Sequence, residues 1–181
     1  PVNCGYHATD YPFGKLYQWG RKYGQGYVGN IYDDDWEVIG IHEDASTPVI
    51  SSGGISIIEG NSINNANVFF TTSEDLRYSW SSDTNVNLWN SGTEGNPVKT
   101  EYDPCPTGWR VPTLSEFNNL KRNHSGWRIN TVTPGYNGYY FSGSQPYTSE
   151  VPQIFLPTAG SLTYIKGIAS GRGDGGNYWS S

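Results

Sequence analysis

Asp103-Pro104-Cys105-Pro106-Thr107-Gly108-Trp109-Arg110-Val111-Pro112-Thr113-Leu114-Ser115-Glu116-Phe117 is the stretch whose reading decides the fold. Pro104, Pro106 and Pro112 fix φ and push the residue before each toward extended backbone. Gly108 permits a turn. Thr113 is a good N-cap, and Glu116, three residues on, completes a capping box. Leu114, Phe117 and Leu120 then give one apolar face, with Asn118, Asn119, Lys121 and Arg122 outside it. The spacing predicts a rigid, cysteine-anchored turn feeding a helix from about 113 to 123.

Outward from this helix the chain reads as short strands and loops. Before it, strands are expected at Trp36-Glu37-Val38-Ile39-Gly40-Ile41, Pro48-Val49-Ile50, Ile55-Ser56-Ile57-Ile58 and Val68-Phe69-Phe70-Thr71. Lys15 to Arg21 fits a strand or a short helix equally. Alternation from Asn85 to Trp89 suggests a strand or a surface loop. After the helix, Gly138-Tyr139-Tyr140-Phe141, Ile154-Phe155-Leu156-Pro157 and Ser161-Leu162-Thr163-Tyr164-Ile165 are strand-like. The glycines at 171, 173, 175 and 176 predict a flexible surface loop, and Asn177 opens a last strand. Trp109 and Trp127 are expected in the core beside the helix.

Composition narrows the function classes. The 181 residues suffice for one domain with a proper core. Aromatics make up 15% and charged residues only 15%, which fits a loop-rich, strand-rich domain and not a disordered chain. The net charge is −6, and the 11 Lys and Arg form no basic run, so no nucleic-acid partner is expected. No apolar stretch reaches the length of a spanning helix. A start at Pro1-Val2 without any Met points to a processed or excised piece.

Cys4 and Cys105 are the two cysteines. A bridge between them would close a loop of about 100 residues, worth ~4–5 kcal/mol in the chain-entropy model. Two separate thiols is the other reading. Abundant Trp, Tyr, Asn, Gly and Ser with scarce Lys points toward an extracytoplasmic protein.

An ordered set of motifs carries a resemblance. It comprises Phe13-Gly14-Lys15-Leu16-Tyr17-Gln18-Trp19, then Cys105-Pro106-Thr107-Gly108-Trp109-Arg110-Val111-Pro112-Thr113 with Glu116-Phe117. Phe155-Leu156-Pro157-Thr158-Ala159-Gly160 follows, then Gly176-Asn177-Tyr178-Trp179-Ser180-Ser181. The set resembles the Fibrobacter succinogenes major paralogous domain, found in secreted and surface proteins of Bacteroidetes-type bacteria. Its fold is similar to that of C-type lectins, formylglycine-generating enzymes and retroelement-diversified binding proteins. The resemblance implies an α+β, C-type-lectin-like, loop-rich single domain with short antiparallel strands and one or two helices. The blocks run from 13 to 181. The segment from about 30 to 96 matches none of them and reads as a family-specific insertion. Such domains continue past Tyr-Trp-Ser-Ser into a final strand, which is expected beyond Ser181.

Most catalytic motifs are missing. His7, His42 and His124 are scattered, and His42-Glu43 lacks the second histidine of a zincin. There is no Gly-x-Ser-x-Gly elbow. The glycines near 173 have neither the strand nor the helix of a dinucleotide loop. Asp33-Asp34-Asp35 lacks the spaced ligands of a calcium loop and reads as a solvated acidic turn. Arg172-Gly173-Asp174 spells an integrin-type tripeptide, a match that chance produces often. Sugar-binding C-type lectins use Glu-Pro-Asn or Gln-Pro-Asp with Trp-Asn-Asp; this chain has Trp89-Asn90-Ser91 and neither tripeptide. The reactive late cysteines of formylglycine-generating relatives have no counterpart beyond Cys105. No metal or other cofactor is expected.

The expected site lies in the polar, tryptophan-punctuated stretch from 79 to 90. Trp80 and Trp89 would supply flat apolar faces; Asp83, Asn85 and Asn87 would supply hydrogen bonds. Ordinary core packing of the two indoles is the competing reading. The expectation is a non-enzymatic binding module, secreted or at the cell surface, for a glycan or a surface protein. A structural or adhesive subunit such as a fimbrial tip or accessory domain is the alternative, followed by a carbohydrate-active enzyme.

Overall fold

The computed structural model describes residues 14–26, 28–32, 37–43, 49–51, 54–71, 79–83, 87–123, 125–129, 138–142, 153–163, 167 and 169–181. They form an α+β arrangement of short strands with few helices. Strands β1 (Val28–Tyr32) and β2 (Val38–Glu43) pair antiparallel. Strands β3 (Val49–Ser51) and β4 (Phe69–Thr71) pair parallel. A parallel pair needs a crossover, supplied here by the short helix α1 (Ile57–Gly60) and a 3-10 turn (Ile63–Asn65). Helix α2 (Leu114–Asn123) leads into an antiparallel sheet of β5 (Ser125–Ile129), β6 (Gly138–Ser142) and β7 (Gln153–Pro157). Strands β8 (Ala159–Leu162) and β9 (Ala169–Arg172) form a last antiparallel pair, with β1 lying against β9. Among the described residues no helix is long and apolar enough to cross a membrane.

The main core consists of Ile57, Val68, Phe70, Trp80 and Leu88, with Trp19, Ile55 and Tyr102 packed against it. All five fully buried members come from the segment read as an insertion, so that segment is integral to the interior. Arg21 enters this core. It is 0% exposed and has its guanidinium carbon 4.8 Å from the Phe70 ring centroid and 5.5 Å from that of Trp80. It donates to the carbonyls of Val68 (3.0 Å) and Asn65 (2.8 Å) and to Gln18 Oε1 (3.2 Å). Burial pushes its pKa down to about 10, so it stays charged at neutral pH. Gln18 works alongside: its amide donates to the Phe70 carbonyl (2.8 Å) and accepts from the Phe70 amide (3.0 Å).

The turn at 103–113 is built around Asp103, whose side chain is fully buried. Its carboxylate accepts from the amides of Cys105 (2.7 Å) and Val111 (2.8 Å) and from Lys99 Nζ (2.7 Å). Lys99 also donates to the Cys105 carbonyl (2.7 Å). The capping box is formed in full: Thr113 Oγ1 accepts from the Glu116 amide (3.3 Å), and Glu116 Oε2 accepts from the Thr113 amide (2.9 Å). Arg110 clamps Glu116 with two hydrogen bonds of 2.7 and 2.6 Å. These hold the Glu116 carboxyl down at about 2, Arg110 being the larger cause and the Thr113 amide the next.

Several expectations are corrected. Ile55 to Ile58 is no strand: Ile55 makes one bridge to Ser81, and α1 begins at Ile57. The reason is local capping, since Ser56 accepts from the Glu59 amide and Asp83 accepts from the Ile57 amide at 2.6 Å. Lys15 to Arg21 is neither strand nor helix; Leu16 bridges Gln25, and the chain turns at Trp19 and Gly20. Gly20 has φ 76°, and a Cβ there would sit 2.1 Å from Leu88 Cδ1. Trp109 is 70% exposed and not core, because the turn closed by its amide on the Pro106 carbonyl throws it outward. Leu114 is exposed, leaving Phe117 and Leu120 as the half-buried face of α2.

The glycine-rich 171–176 run begins inside β9, which ends at Arg172, and turns at Gly173 and Asp174; Arg172 and Gly173 are buried, so the Arg-Gly-Asp reading falls with the loss of its exposed arginine. Residues 177–181 form no strand. They dock through Trp179 Nε1 on the Tyr17 carbonyl (2.9 Å), the Tyr178 hydroxyl on the Pro157 carbonyl, and the Ser181 amide on the Pro112 carbonyl (2.8 Å). Cys4, Asp33 to Asp35, His7, His124 and Tyr164 to Ile165 lie outside the described residues.

Two outcomes are expected for the capping box. Thr113→Ala should cost on the order of 0.5–2 kcal/mol in denaturant unfolding. Glu116 has a depressed folded-state pKa. Its stabilisation is therefore complete above the ordinary carboxylate value of 4.5 and is lost as pH falls toward about 2. The wild-type advantage over Glu116→Gln should accordingly be largest near neutral pH and shrink through that acid window. An advantage independent of pH would refute the ion pair's role.

Candidate functional site

The residues from 89 to 100 fold back on themselves as a small hairpin. Asn90 bridges Lys99 and Thr93 bridges Asn96, both antiparallel. The Ser91 amide donates to the Val98 carbonyl (2.9 Å), and Thr93 and Asn96 exchange backbone hydrogen bonds of 3.2 and 3.1 Å. Asn90 fixes the base of the hairpin: its Oδ1 accepts from the amides of Gly92 (2.9 Å) and Val98 (2.8 Å). Such local side-chain bonding is what asparagine offers in turns. At the tip, Glu94 Oε2 accepts from the Ser115 amide at the start of α2 (3.0 Å). Hydrogen bonds from Ser115, side chain first and then backbone, hold the Glu94 carboxyl below its usual range, so it is ionised at neutral pH.

Between this hairpin and the Trp19 turn lies an open cleft of about 160 Å³, lined by Trp19, Asn87, Asn90, Gly92, Glu94 and Ser181. Three indoles brace its apolar wall. Trp19 lies 4.7 Å from Trp89 and 5.7 Å from Trp179, and Trp89 meets Trp179 edge-on at 6.0 Å. Trp179 is 49% exposed, and its N–H on the Tyr17 carbonyl anchors the last residues beside the cleft. Ser181 is held by its amide on the Pro112 carbonyl and its hydroxyl on the Val111 carbonyl (3.3 Å). The cleft thus offers part of the Trp19 ring, amide and hydroxyl groups and, among its described lining, one side-chain carboxylate.

The expected site is only partly assembled here. Asn87 is exposed and lines the cleft. Trp80 and Trp89 do not present faces to a ligand: they are 4% and 1% exposed. Trp80 stacks on Phe70 at 6.0 Å and donates its N–H to the Trp19 carbonyl (2.6 Å). The physical reason is burial: a large indole removed from water stabilises more than its polar neighbours could gain by drawing it to the surface. Asp83 is exposed but serves α1 as the acceptor for the Ile57 amide, away from the cleft lining. Asn85 lies outside the described residues. The pairing of Cys4 with Cys105 involves a residue outside the described set; Cys105 is half-buried in the Asp103 turn.

Sequence reading missed Trp19, Asn90, Glu94 and Ser181. The signal for the hairpin was present in Asn90-Ser91-Gly92 and Thr93-Glu94-Gly95-Asn96, two turn-forming runs. No local signal brings Trp19 or Ser181 to them. Among the described residues no group of three or more His, Cys, Asp or Glu side chains is gathered to hold a metal ion.

Gly92 is the residue on which this geometry is most exposed to test. A Cβ there would lie 2.2 Å from the Asn96 carbonyl oxygen and 2.8 Å from the Val98 nitrogen, both backbone. Gly92→Ala should therefore pry open the hairpin, and loss of cleft amide protection in hydrogen exchange should exceed any change in α2. Unchanged exchange at 90–99 would show that the hairpin is not packed as described.

The chain matches no protein-family model, no curated protein and no solved structure.

Proposed function

We propose that this chain is a non-enzymatic, extracytoplasmic module that binds a glycan through the Trp19–Glu94 cleft. The observation that carries the proposal is the pairing of a braced indole with amide, hydroxyl and carboxylate groups around a cleft of about 160 Å³. A space on the order of 150 Å³ admits one six-membered ring. A pyranose has an apolar face for an indole and an edge of hydroxyls for polar partners, which is the complement of this lining. Glycoside cleavage uses two carboxylates, and the described lining has one side-chain carboxylate, Glu94, which also accepts from the start of α2. That favours binding over turnover.

The finer assignment belongs to the same proposal: a C-type-lectin-like domain related to the Fibrobacter succinogenes major paralogous domain, secreted or at the cell surface. It rests on the ordered Cys-Pro-x-Gly-Trp, Leu-Pro-x-Ala-Gly and Tyr-Trp-Ser-Ser motifs. A second reading, an adhesive or structural subunit contacting a surface protein, draws on the exposed Trp109, Ile58 and Ile63.

Trp19 in the cleft wall supplies its own probe. Binding of a sugar should change tryptophan fluorescence, and screening on an array of neutral and charged glycans should return hits. Asn87→Ala should weaken those hits by roughly 2–10-fold, the net worth of one hydrogen bond. No hit on the array, or an Asn87→Ala variant that binds as well as wild type, would overturn the assignment to this cleft.

A further inference from the structure

The polar lining of the cleft is not symmetric in its chemistry. An amide has distinct ends, and the Asn90 oxygen is occupied by the Gly92 and Val98 amides. What Asn90 has left for a ligand is its NH₂, a donor. Glu94 is the reverse. Its carboxylate takes hydrogen bonds from the Ser115 side chain and amide, and with about four lone-pair sites it keeps acceptor capacity beyond them. None of the described lining residues is cationic. The nearby Glu116 adds a repulsive field at Glu94, although Arg110 is bound to it, and the whole chain carries a net charge of −6.

Resting on the glycan reading, we infer that Glu94 is a specificity-determining residue: the cleft accepts neutral or amino sugar rings and rejects rings bearing a carboxylate. A hydroxyl donates to the Glu94 carboxylate and accepts from the Asn90 NH₂, and an ammonium group donates to Glu94. A uronic or sialic acid brings a second anion into a partly enclosed space whose described lining holds no cation to pair with it. Like charges placed together are the usual device by which a site refuses a ligand of otherwise fitting shape. The indole wall is indifferent to this difference, because a hexose and its uronide share the same ring face.

The test uses pairs that differ only in that one group: methyl glucoside against methyl glucuronide, and methyl galactoside against methyl galacturonide, titrated by tryptophan fluorescence. Wild-type protein should bind the neutral member at least about tenfold more tightly. In Glu94→Gln the ratio should collapse toward one, chiefly by gain of uronide binding. Gln keeps an oxygen for the Ser115 amide, so the start of α2 is retained. A second readout needs no substitution: in wild-type protein the discrimination should shrink as salt is raised, because screening weakens charge repulsion. Equal binding of both members by wild type overturns the inference and leaves the glycan reading standing. So does a ratio that survives both Glu94→Gln and high salt. Failure of every pair, together with a blank glycan array, overturns both.

Discussion

The buried guanidinium of Arg21 organises the main core. Removing a guanidinium from water is expensive, and among the described residues no carboxylate pairs with Arg21 to offset that cost. Its charge is instead spread over two main-chain carbonyls, one side-chain amide oxygen and two aromatic faces. Hydrogen bonds to a charged group contribute roughly 1.5–3 kcal/mol each, and a desolvated cation–π contact about 2 kcal/mol or more. Every one of those partners must be in place for the charge to be tolerated. The 3-10 turn must deliver the Asn65 carbonyl, the residue just before β4 the Val68 carbonyl, and the core the faces of Phe70 and Trp80. Arg21 therefore ties the turn at residues 19–20 to the β3–β4 crossover and fixes where Trp19 lies.

That position is what makes the cleft. The Trp19 carbonyl is held by the Trp80 indole N–H, while its ring leans on Trp89 and Trp179. The opposite wall has a separate organiser. Asp103 satisfies the amides on either side of the Cys105-to-Arg110 turn, and Lys99 joins that turn to the end of the hairpin. The start of α2 then receives Glu94. Two polar networks, one cationic at its centre and one anionic, thus position two walls of one site. Because buried polar groups tolerate few alternative arrangements, both walls are fixed more firmly than apolar packing alone would fix them.

The most local features were legible from sequence. Thr113 and Glu116 lie three residues apart, and no distant contact is needed for their reciprocal hydrogen bonds; the helix starts one residue after the expected cap. The strands at Val38, Val49, Phe69, Gly138 and Ile154 were likewise readable from β-branched and aromatic runs. Ile55 to Ile58 had the same composition, yet a serine cap and a carboxylate 26 residues away turned it into a helix. Propensity was overruled by a partner that the local window does not contain.

The sequence by itself determined that 79–96 would be a polar, tryptophan-bearing region and that its neighbours would be turns. It could not determine which half of that composition would face water. Tertiary structure decided this: Trp80 and Trp89 are drawn inward because burying an indole is favourable wherever a core is within reach, leaving Asn87, Asn90 and Glu94 at the surface. It also decided that Trp109, placed by a proline-fixed turn, stays outside, and that Arg172 goes inside. The cleft needs Trp19, Glu94 and Ser181, residues separated by most of the chain. Their meeting follows from the summed constraints of Arg21 and Asp103, a physical property of the folded whole that no window of sequence carries.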